Sequence, residues 1–492
     1  MLETQTQKAR RVVVIGGGVS GLAAAHRLLE LRAESGRACE VLLLEAGGRL
    51  GGIVETERRE GFLLEAGPDA FISEKPEALA LARRVGLQEH LIETSGAHRR
   101  SFVVRGGRLH PTPEGFQLLA PSRLWPFLTS GIFSWPGKAR MALELLLPRR
   151  SSGSDESGAD LADESLAAFV RRRFGREALE RMAQPMVGGI YTADPERLSL
   201  RATMPRFLEM ESAHRSLIWA MWKAGRKARA DGTQERGTSG ARYSLFLSFD
   251  GGMQMLTDRL AERLPPGVVR LNSPVESLTR DAQGEGWTIR VGGSPETLEA
   301  DAVCLALPAY RAAALLRDTD SALADELDAI TYASSATVNL AYKREDIPHS
   351  LDGFGFVVPF VERRATMACS FSSVKFSGRA PEGGALLRAF VGGALQTEMY
   401  ALDEETIVER VRRDLRDLLG ITRPPLFSLV RKWPRAMPQY HLGHLARVER
   451  IRRRLSALPT LQLAGNAYDG TGIPDCIRNG ETAAGTLVNR ES

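Results

Sequence analysis

Three glycines near the start of the chain have the spacing of a nucleotide-binding turn. Gly16, Gly18 and Gly21 follow the β-branched run 12–15 and open an Ala/Leu-rich segment that reaches about residue 35. In such a turn the first glycine permits the tight bend, the second lets the backbone approach a pyrophosphate, and the third lets helix and strand pack closely. The following helix would present unpaired N–H groups and its positive dipole end to the phosphates.

An acidic residue ends the next apolar run, "EVLLLE". This residue, Glu45, is placed to accept hydrogen bonds from the ribose hydroxyls of an adenosine, which argues against a 2′-phosphate. Strand, glycine turn, helix, strand and acid in this order predict a Rossmann-like α/β domain. Arg49 and two glycines follow shortly after Glu45, and the Arg49 cation is within reach of a pyrophosphate. The chain then departs from the alternation of strands and helices that a nicotinamide-dependent dehydrogenase would continue. This departure favours a flavin over a nicotinamide nucleotide.

A second glycine turn lies near the end of the chain, in "GNAYDGTGIPDCIRNG". The run 461–465 before it is predicted to return as a strand to the same sheet, and Asp475 is placed to cap the helix that follows. The N-terminal amides of that helix would face the pyrimidine edge of a flavin, where reduced flavin gathers negative charge. We therefore expect one glycine turn to hold the phosphates and the other to contact the ring, with a substrate domain inserted between them.

The composition is that of a globular protein, with 492 residues, 43% hydrophobic and 25% charged. The net charge of +5 is mildly basic, which suits anionic small molecules or an anionic membrane surface, and no motif predicts nucleic-acid binding. Four well-separated cysteines without a CxxC pair are typical of a reduced, cytosolic protein. No signal peptide or membrane span is predicted, so we expect a cytoplasmic protein that is soluble or peripheral at the inner face of the membrane.

The remaining elements fall into helical and strand-rich blocks. Two polar stretches, 149–165 and 229–242, are predicted surface loops that flank a helix-rich piece. The apolar segment 118–148 has two interpretations: a helical subdomain that packs on itself, or the wall of a substrate channel or a membrane-touching patch. Short β-branched runs predict strands from residue 267 onwards and over 336–393, and 404–420 is an amphipathic helix ended by Gly420.

Other residues with chemical potential are interpreted structurally. His441 and His444 lack a third ligand, so no metal site is predicted. Cys476 follows the second glycine turn, where a small buried residue is expected, and FAD is therefore predicted to bind non-covalently. No Ser/His/Asp set or paired carboxylates emerge, so no catalytic residue is assigned and the hydride acceptor would be the flavin.

Segments along the whole chain resemble the FAD-dependent amine oxidase superfamily and, within it, porphyrinogen oxidases of the Bacillus type. The matching segments include "LHPTPEG", "TSGIFSWPGKARM", "GGIYTADPERLSL", "RKWPRAMPQYHLGH" and "GTGIPDCI", and the similarity runs from about 11 to 489. The resemblance implies an α/β fold with a Rossmann-like FAD-binding domain, a mixed-sheet substrate domain and a helical subdomain. The implied limits are 1–75, 243–310 and 445–492 for the FAD-binding domain, 76–114 and 311–440 for the substrate domain, and 115–228 for the helical subdomain.

The same resemblance implies an activity. It is the six-electron oxidation of a porphyrinogen to the porphyrin in heme biosynthesis, with O2 as acceptor and H2O2 released, and transient contact with the next enzyme of the pathway. Coproporphyrinogen III and protoporphyrinogen IX both stay open as substrates, although the Bacillus-like segments favour the former. Two alternatives also stay open: another flavin oxidase, acting on an amine or a carotenoid precursor, and a non-enzymatic escort protein of the same fold.

Finally, the resemblance implies site residues. The cofactor contacts would be Gly16, Gly17, Gly18, Val19, Ser20, Gly21, Glu45, Ala46, Arg49, Gly67, Pro68, Asp69, Ala70, Val275, Trp433, Gly472, Ile473 and Pro474. Lys75 falls where Bacillus-type members place a cation near a substrate propionate, while a solvated surface lysine is the alternative. Val357 and Phe376 match apolar residues that sandwich the macrocycle. Plant and animal members use an arginine where this chain has Ser101, so carboxylate recognition is assigned to Lys75.

Overall fold

The computed structural model describes residues 10–36, 39–97, 99–117, 120–121, 123–149, 163–230, 246–281, 283–294 and 297–489. The two predicted polar loops, 149–165 and 229–242, lie largely outside the described residues. Parallel and mixed sheets with helices around them confirm the predicted α/β class.

A five-stranded parallel sheet is assembled from separated parts of the chain. Its strands, in spatial order, are Val269–Arg270, Cys39–Leu44, Arg10–Ile15, Ala302–Leu305 and Leu461–Leu463. Val14 pairs with Leu43 on one side and with Cys304 on the other. The strands read as continuous apolar runs because both faces of the sheet are covered. The predicted return of 461–465 to the first sheet is confirmed.

Alternate residues of these strands enter two cores. Val12 and Val14 pack with the helices Val19–Ser35, Pro76–Arg84, Gln254–Arg263 and Ile473–Asn489. Val13 and Ile15 pack on the other face, against the helices Ala309–Leu316, Ser321–Asp328 and His444–Leu455 and an antiparallel sheet of Val275–Arg280, Trp287–Val291 and Thr297–Ala300. The predicted domain limits gave residues 76–84 to the substrate domain, whereas this helix packs in the core of the nucleotide-binding sheet.

A seven-stranded mixed sheet forms the second layer of the molecule. Its strands, in spatial order, are Phe427–Pro438, Tyr332–Lys343, Gly384–Gly392, Ala368–Phe371, Gly355–Val357, Phe102–Arg105 and Arg108–Pro111. Only the pair Gly355–Val357 and Phe102–Arg105 runs parallel. The amphipathic helix Glu404–Leu419 covers one face and ends at Gly420, whose φ of 74° lies in the left-handed region that glycine favours. The mixed sheet and this helix confirm the sequence prediction.

Smaller strands and helices connect the two large sheets. The strands are Thr56–Arg59 with Phe62–Glu65, Phe116–Gln117 with Ala120–Pro121, and the three-stranded set Phe71–Ile72, Phe246–Phe249 and Leu91–Glu93. The short helices Ser372–Lys375 and Thr397–Ala401 lie at the ends of strands of the mixed sheet.

A helical region lies between residues 124 and 230. Its α-helices are Leu124–Thr129, Trp135–Ala142, Leu166–Arg173, Arg176–Ala178, Gln184–Tyr191, Leu200–Thr203, Pro205–His214 and Leu217–Ala230, with a π-helical turn over Leu179–Ala183. Phe127, Phe133 and Met141 are buried in its core, whereas Trp125 and Trp135 are 75% and 71% exposed. The described part of the apolar segment 118–148 therefore buries one side in the core of the helical region and exposes large apolar side chains along the other.

Candidate functional site

The first glycine turn is tightly packed on the side of the sheet and open at its middle. The Gly16 N–H donates to the carbonyl of Leu44 over 2.8 Å, and a Cβ added at Gly21 would overlap with the carbonyl oxygen of Gly16. A Cβ added at Gly18 would come within 4 Å of no atom of the described residues. Gly18 precedes the helix Val19–Ser35, so the first-turn amides, including those of Val19 and Ser20, are positioned to bind an anion.

Glu45 fixes the edge of this turn. Its carboxylate accepts hydrogen bonds from the N–H groups of Gly17 and Gly47, both over 2.7 Å. The Glu45 carbonyl also accepts from the N–H of Ser273 over 2.9 Å. Val275, the first residue of its strand, lies two positions after Ser273 in the chain. Glu45, Ala46 and the chain entering Val275 thus share the edge where an adenosine is expected.

Arg49 organises the loop that follows. Its guanidinium donates to the carbonyls of Leu50 and Val54, over 3.1 and 3.0 Å, and to that of Gly52. The Gly51 N–H donates to the carbonyl of Gly17 over 2.8 Å, so this loop lies directly on the glycine turn. Arg49 is therefore beside the predicted phosphate site, and its hydrogen bonds hold the loop in place.

Residues of the mixed sheet hold the predicted flavin-lining turn, Gly67 to Ala70. The carbonyl of Ala66 accepts from the Thr337 hydroxyl over 2.7 Å and from the indole N–H of Trp433 over 2.9 Å. The buried guanidinium of Arg388 donates to the carbonyl of Gly67. A Cβ at Gly67 would overlap with the carbonyl of Ile53, so this turn also lies against the loop held by Arg49.

A charge cluster under this turn was missed by the sequence analysis. Asp69 lies 2.8 Å from the Lys375 ammonium and 3.7 Å from Arg388. Burial alone would raise the pKa of Asp69, but the charges of Lys375 and Arg388 lower it to about 2. Next to it, burial raises the pKa of Glu65, which accepts from Thr56 and lies 3.8 Å from Arg379. The signal in the sequence was Arg388 itself, a charged residue inside the apolar strand "LLRAFVGG".

The second glycine turn follows a strand of the same parallel sheet as the first and is held by Tyr440. The Tyr440 hydroxyl donates to the carbonyl of Asn466 over 2.7 Å and accepts from the N–H of Gly470 over 2.9 Å. The last helix begins at Ile473, with Pro474 in its first turn, and the carbonyl of Gly472 accepts from Cys476 over 2.9 Å.

The backbones of the first and last helices come into close contact at Gly480. A Cβ added at Gly480 would overlap with the carbonyl of Ser20 on the first helix. The two glycine turns, more than four hundred residues apart in the chain, thus follow parallel strands of one sheet that are separated only by the strand Ala302–Leu305.

The cap predicted at Asp475 is wrong. The helix begins at Ile473, two residues earlier, so Asp475 lies inside the first turn. Its buried carboxylate accepts both contacts from the Lys75 ammonium, at 2.7 and 2.5 Å, and one from Arg478 at 2.7 Å. The cation predicted to meet a substrate carboxylate is therefore paired with a carboxylate of the second glycine turn.

The two apolar residues predicted to sandwich a substrate lie in different surroundings. Val357, in the strand Gly355–Val357, packs against the core of the helical region. Phe376 is 1% exposed, and the cations of Lys375 and Arg379 lie 5.1 and 5.5 Å from its ring centre. Ser101 is also buried and bonds to Thr112 over 3.2 Å.

The histidines and the cysteine near the second turn have structural surroundings. His444 stacks on Tyr440 at 3.9 Å, and burial lowers its pKa to about 4. Burial raises the pKa of the Cys476 thiol, which bonds to Ser20, to about 12. Among the described residues, no group of three or more potential ligands could hold a metal ion.

A parallel sheet with two glycine turns that follow parallel strands, an acid at the end of the second strand and a flanking mixed sheet define a dinucleotide-binding protein. The open approach to Gly18 and the helix N-terminus that follows it fit the pyrophosphate of FAD. A family model described as flavin containing amine oxidoreductase matches residues 19–488, and the chain belongs to this family.

Individual relatives match along nearly the whole chain. The coproporphyrinogen III oxidase of Bacillus subtilis (strain 168) is 34% identical over 481 residues, covering 96% of this chain and 97% of the relative. The protoporphyrinogen oxidase of Homo sapiens is 32% identical over 505 residues, covering 98% and 99%. The solved structure of a candidate protoporphyrinogen oxidase from Exiguobacterium sp. 255-15 superposes with a TM-score of 0.84 at 30% identity, covering 99% of this chain and 100% of that one.

Proposed function

We propose that this chain is an FAD-dependent oxidase that converts a porphyrinogen into the porphyrin in heme biosynthesis, with coproporphyrinogen III as the preferred substrate. The observation that carries the proposal is the 34% identity, along 96% of this chain, to the coproporphyrinogen III oxidase of Bacillus subtilis. Protoporphyrinogen IX is the second candidate, supported by the 32% identity to the human protein named for that substrate.

The reaction removes six electrons and six protons from the macrocycle. Each meso CH2 bridge lies next to electron-rich pyrroles, so loss of hydride leaves a cation that is delocalised over the ring. When bound, FAD supplies a two-electron acceptor for each of three successive oxidations. Three O2 molecules would take up the electrons and protons and leave as three H2O2. The pyrrole protons would pass to water, since no side chain is assigned as a general base.

The two glycine turns would hold FAD from both ends. Gly16 to Gly21 would bind the phosphates, and Glu45 would exchange its bonds to backbone N–H groups for the ribose hydroxyls. The turns Gly67 to Ala70 and Gly472 to Pro474, with Trp433, would contact the ring. The amides at the start of the helix Ile473–Asn489 would favour negative charge near the ring.

FAD binding would be non-covalent. Cys476 is 8% exposed, and its pKa of about 12 keeps the thiol protonated at neutral pH, which disfavours attack on the ring. After denaturation in acid, the yellow colour should stay in the supernatant. A yellow pellet would refute this part of the proposal.

The substrate would bind between the mixed sheet and the helical region. Lys75 would pair with a propionate, and Val357, which is partly exposed, would contact the flat apolar ring and exclude water. Phe376 is too deeply buried to contact the ring and would support the site from within the core. The division of the chain into FAD-binding, substrate and helical parts belongs to the same proposal, with the limits given above except that the helix Pro76–Arg84 joins the FAD-binding part.

Peripheral contact with the inner face of the membrane would bring the helical region close to lipid. In the described residues no helix is long and apolar enough to cross a membrane. Trp125, Trp135 and Leu146 are each more than 70% exposed, and the Lys138 ammonium lies 4.4 Å from the Trp135 ring centre. Co-sedimentation with vesicles containing phosphatidylglycerol should fall in the W125S/W135S double variant. The contact would be contradicted by equal sedimentation of the wild type and the double variant. It would also be contradicted if the wild type bound only to vesicles of neutral lipid.

Transient docking of the next heme-pathway enzyme is part of the same proposal.

Turnover of both porphyrinogens tests the proposed activity. FAD-loaded protein, identified by absorbance near ~450 nm, should convert coproporphyrinogen III to a fluorescent porphyrin with three H2O2 per porphyrin, and protoporphyrinogen IX more slowly. Turnover of an amine without porphyrin formation would favour another flavin oxidase. Absence of flavin absorbance even after FAD is added would favour the escort protein.

A further inference from the structure

The contact between Lys75 and Asp475 links two parts of the candidate site. Lys75 directly precedes the helix Pro76–Arg84, and Asp475 lies in the first turn of the helix Ile473–Asn489. The Lys75 side chain is 45% exposed, whereas that of Asp475 is 3% exposed. One member of this ion pair is therefore open to solvent and to ligands, and the other is buried.

Asp475 is fixed in position. Its carboxylate occupies the space that a Cβ at Gly470 would need, and Gly470 adopts a φ of 109°. Arg478, one turn along the same helix, donates to Asp475 over 2.7 Å and to the carbonyl of Asp469 over 2.8 Å. A buried carboxylate needs a compensating cation, and Arg478 supplies one even when Lys75 is elsewhere.

The pair also faces the helical region. The N–H of Gly470, which lies against the Asp475 carboxylate, donates to the hydroxyl of Tyr440 over 2.9 Å, and Tyr440 is buried in the core of the helical region. Burial, and after it the negative charge of Asp475, also raise the pKa of Tyr191, at the end of the helix Gln184–Tyr191, to about 12. Asp475 and Lys75 thus lie where the nucleotide-binding part of the chain approaches the helical region. This is the region in which the proposed function seats a substrate.

We propose that the Asp475 carboxylate occupies Lys75 in the free enzyme in the way that a substrate carboxylate occupies it in the complex. Lys75 leaves Asp475 to bind a propionate when the porphyrinogen enters, while Arg478 remains on Asp475 and keeps its charge compensated. Asp475 and Arg478 then tune the affinity for the substrate without touching it. This inference rests on the proposed function and identifies Asp475 and Arg478 as positioning residues that act through Lys75.

The test is a double-mutant cycle on the FAD-loaded protein. The variants are K75M, R478Q and their combination, and the readouts are KM and kcat for coproporphyrinogen III and the Kd of coproporphyrin III by fluorescence titration. R478Q should raise KM and Kd by about three- to tenfold, because Asp475 then retains Lys75, with kcat within about twofold of wild type. K75M should raise both constants similarly, and adding R478Q to K75M should raise them no further.

A second variant separates exchange from damage to the fold. D475N leaves Lys75 without its internal carboxylate and should lower KM and Kd, which a misfolded site would not do. R84Q is the matched control, because Arg84 joins the same two helices through Glu481 without contacting Asp475, and it should leave both constants unchanged.

Three results would overturn the exchange. The first is that R478Q raises KM and Kd by the same factor in the wild type and in K75M. The second is that D475N has a higher KM and Kd than the wild type. The third is that the wild type does not bind coproporphyrin III. A wild type that binds coproporphyrin III but shows no turnover would instead refute the proposed activity, and the Kd values would still test the exchange.

Discussion

The carboxylate of Asp69 lies 2.8 Å from the ammonium group of Lys375, although the two residues are 306 positions apart in the chain. Arg388 approaches the same carboxylate to 3.7 Å and also donates to the carbonyl of Gly67. Asp69 belongs to the turn that is proposed to line the flavin, whereas the two cations come from the mixed sheet and the short helix beside it. The position of the flavin-lining turn therefore depends on the second sheet.

Replacing Asp69 by Asn should destabilise the protein. The substitution leaves Lys375 and Arg388 buried without their shared carboxylate, which should lower the free energy of unfolding by about 3 kcal/mol. The FAD Kd should rise as well, because the turn from Gly67 is less well held. Thermal unfolding with and without FAD measures both effects.

D417N is the control for this prediction. Asp417 pairs with Arg364 over 3.2 Å, but its side chain is 43% exposed, so its loss should change stability by about 1 kcal/mol or less. Equal melting temperatures for D69N and D417N would mean that the buried cluster contributes no more to stability than an exposed ion pair does.

The same cluster predicts how stability depends on pH. Because the cations lower the pKa of Asp69 from 3.8 to about 2, the unfolded chain binds a proton at a higher pH than the folded chain. The stabilisation is therefore fully present above about pH 4 and is lost as the pH falls through 4 towards 2. Urea unfolding of wild type should weaken over this window by about 2 kcal/mol more than that of D69N. Parallel pH profiles would contradict the assignment.

The strand–helix–strand unit that carries the first glycine turn was predictable because its signal is local. The spacing from Gly16 to Gly21 and the acid Glu45 lie within one strand–helix–strand unit, where each residue type has a defined task. The partners of Arg388 and Lys375 could not be found in this way, since they come together only when the mixed sheet is folded.

The contacts of Lys75 and Asp475 show the same limit. These residues are 400 positions apart, and each was therefore assigned a separate role from its local sequence. The helix start was also misplaced by two residues, because Ile473 and Pro474 begin the helix and Asp475 follows them.

Two glycines of the last helix should respond in opposite ways to alanine. In G480A the new Cβ overlaps with the carbonyl of Ser20, so the first and last helices must separate and both stability and FAD binding should fall. In G485A, on the same helix, the new Cβ would meet no atom of the described chain within 4 Å. Its stability should be unchanged or rise by up to about 1 kcal/mol, because alanine favours a helix. Melting temperatures and flavin content measure the contrast, and similar losses in both variants would show that helix contact is not the cause.

Alanine at Gly18 should separate cofactor binding from folding. Gly18 has a φ of −72° and a ψ of 177°, which alanine adopts without strain, and the added Cβ points towards no described atom within 4 Å. The apoprotein should therefore melt at the wild-type temperature. The same Cβ would occupy the space through which the backbone approaches the pyrophosphate, and the FAD Kd should rise by about tenfold or more. Fluorescence titration of the apoprotein with FAD gives this Kd. An unchanged Kd would move the phosphates away from Gly18, whereas a lower melting temperature of the apoprotein would show that Gly18 is needed for the fold itself.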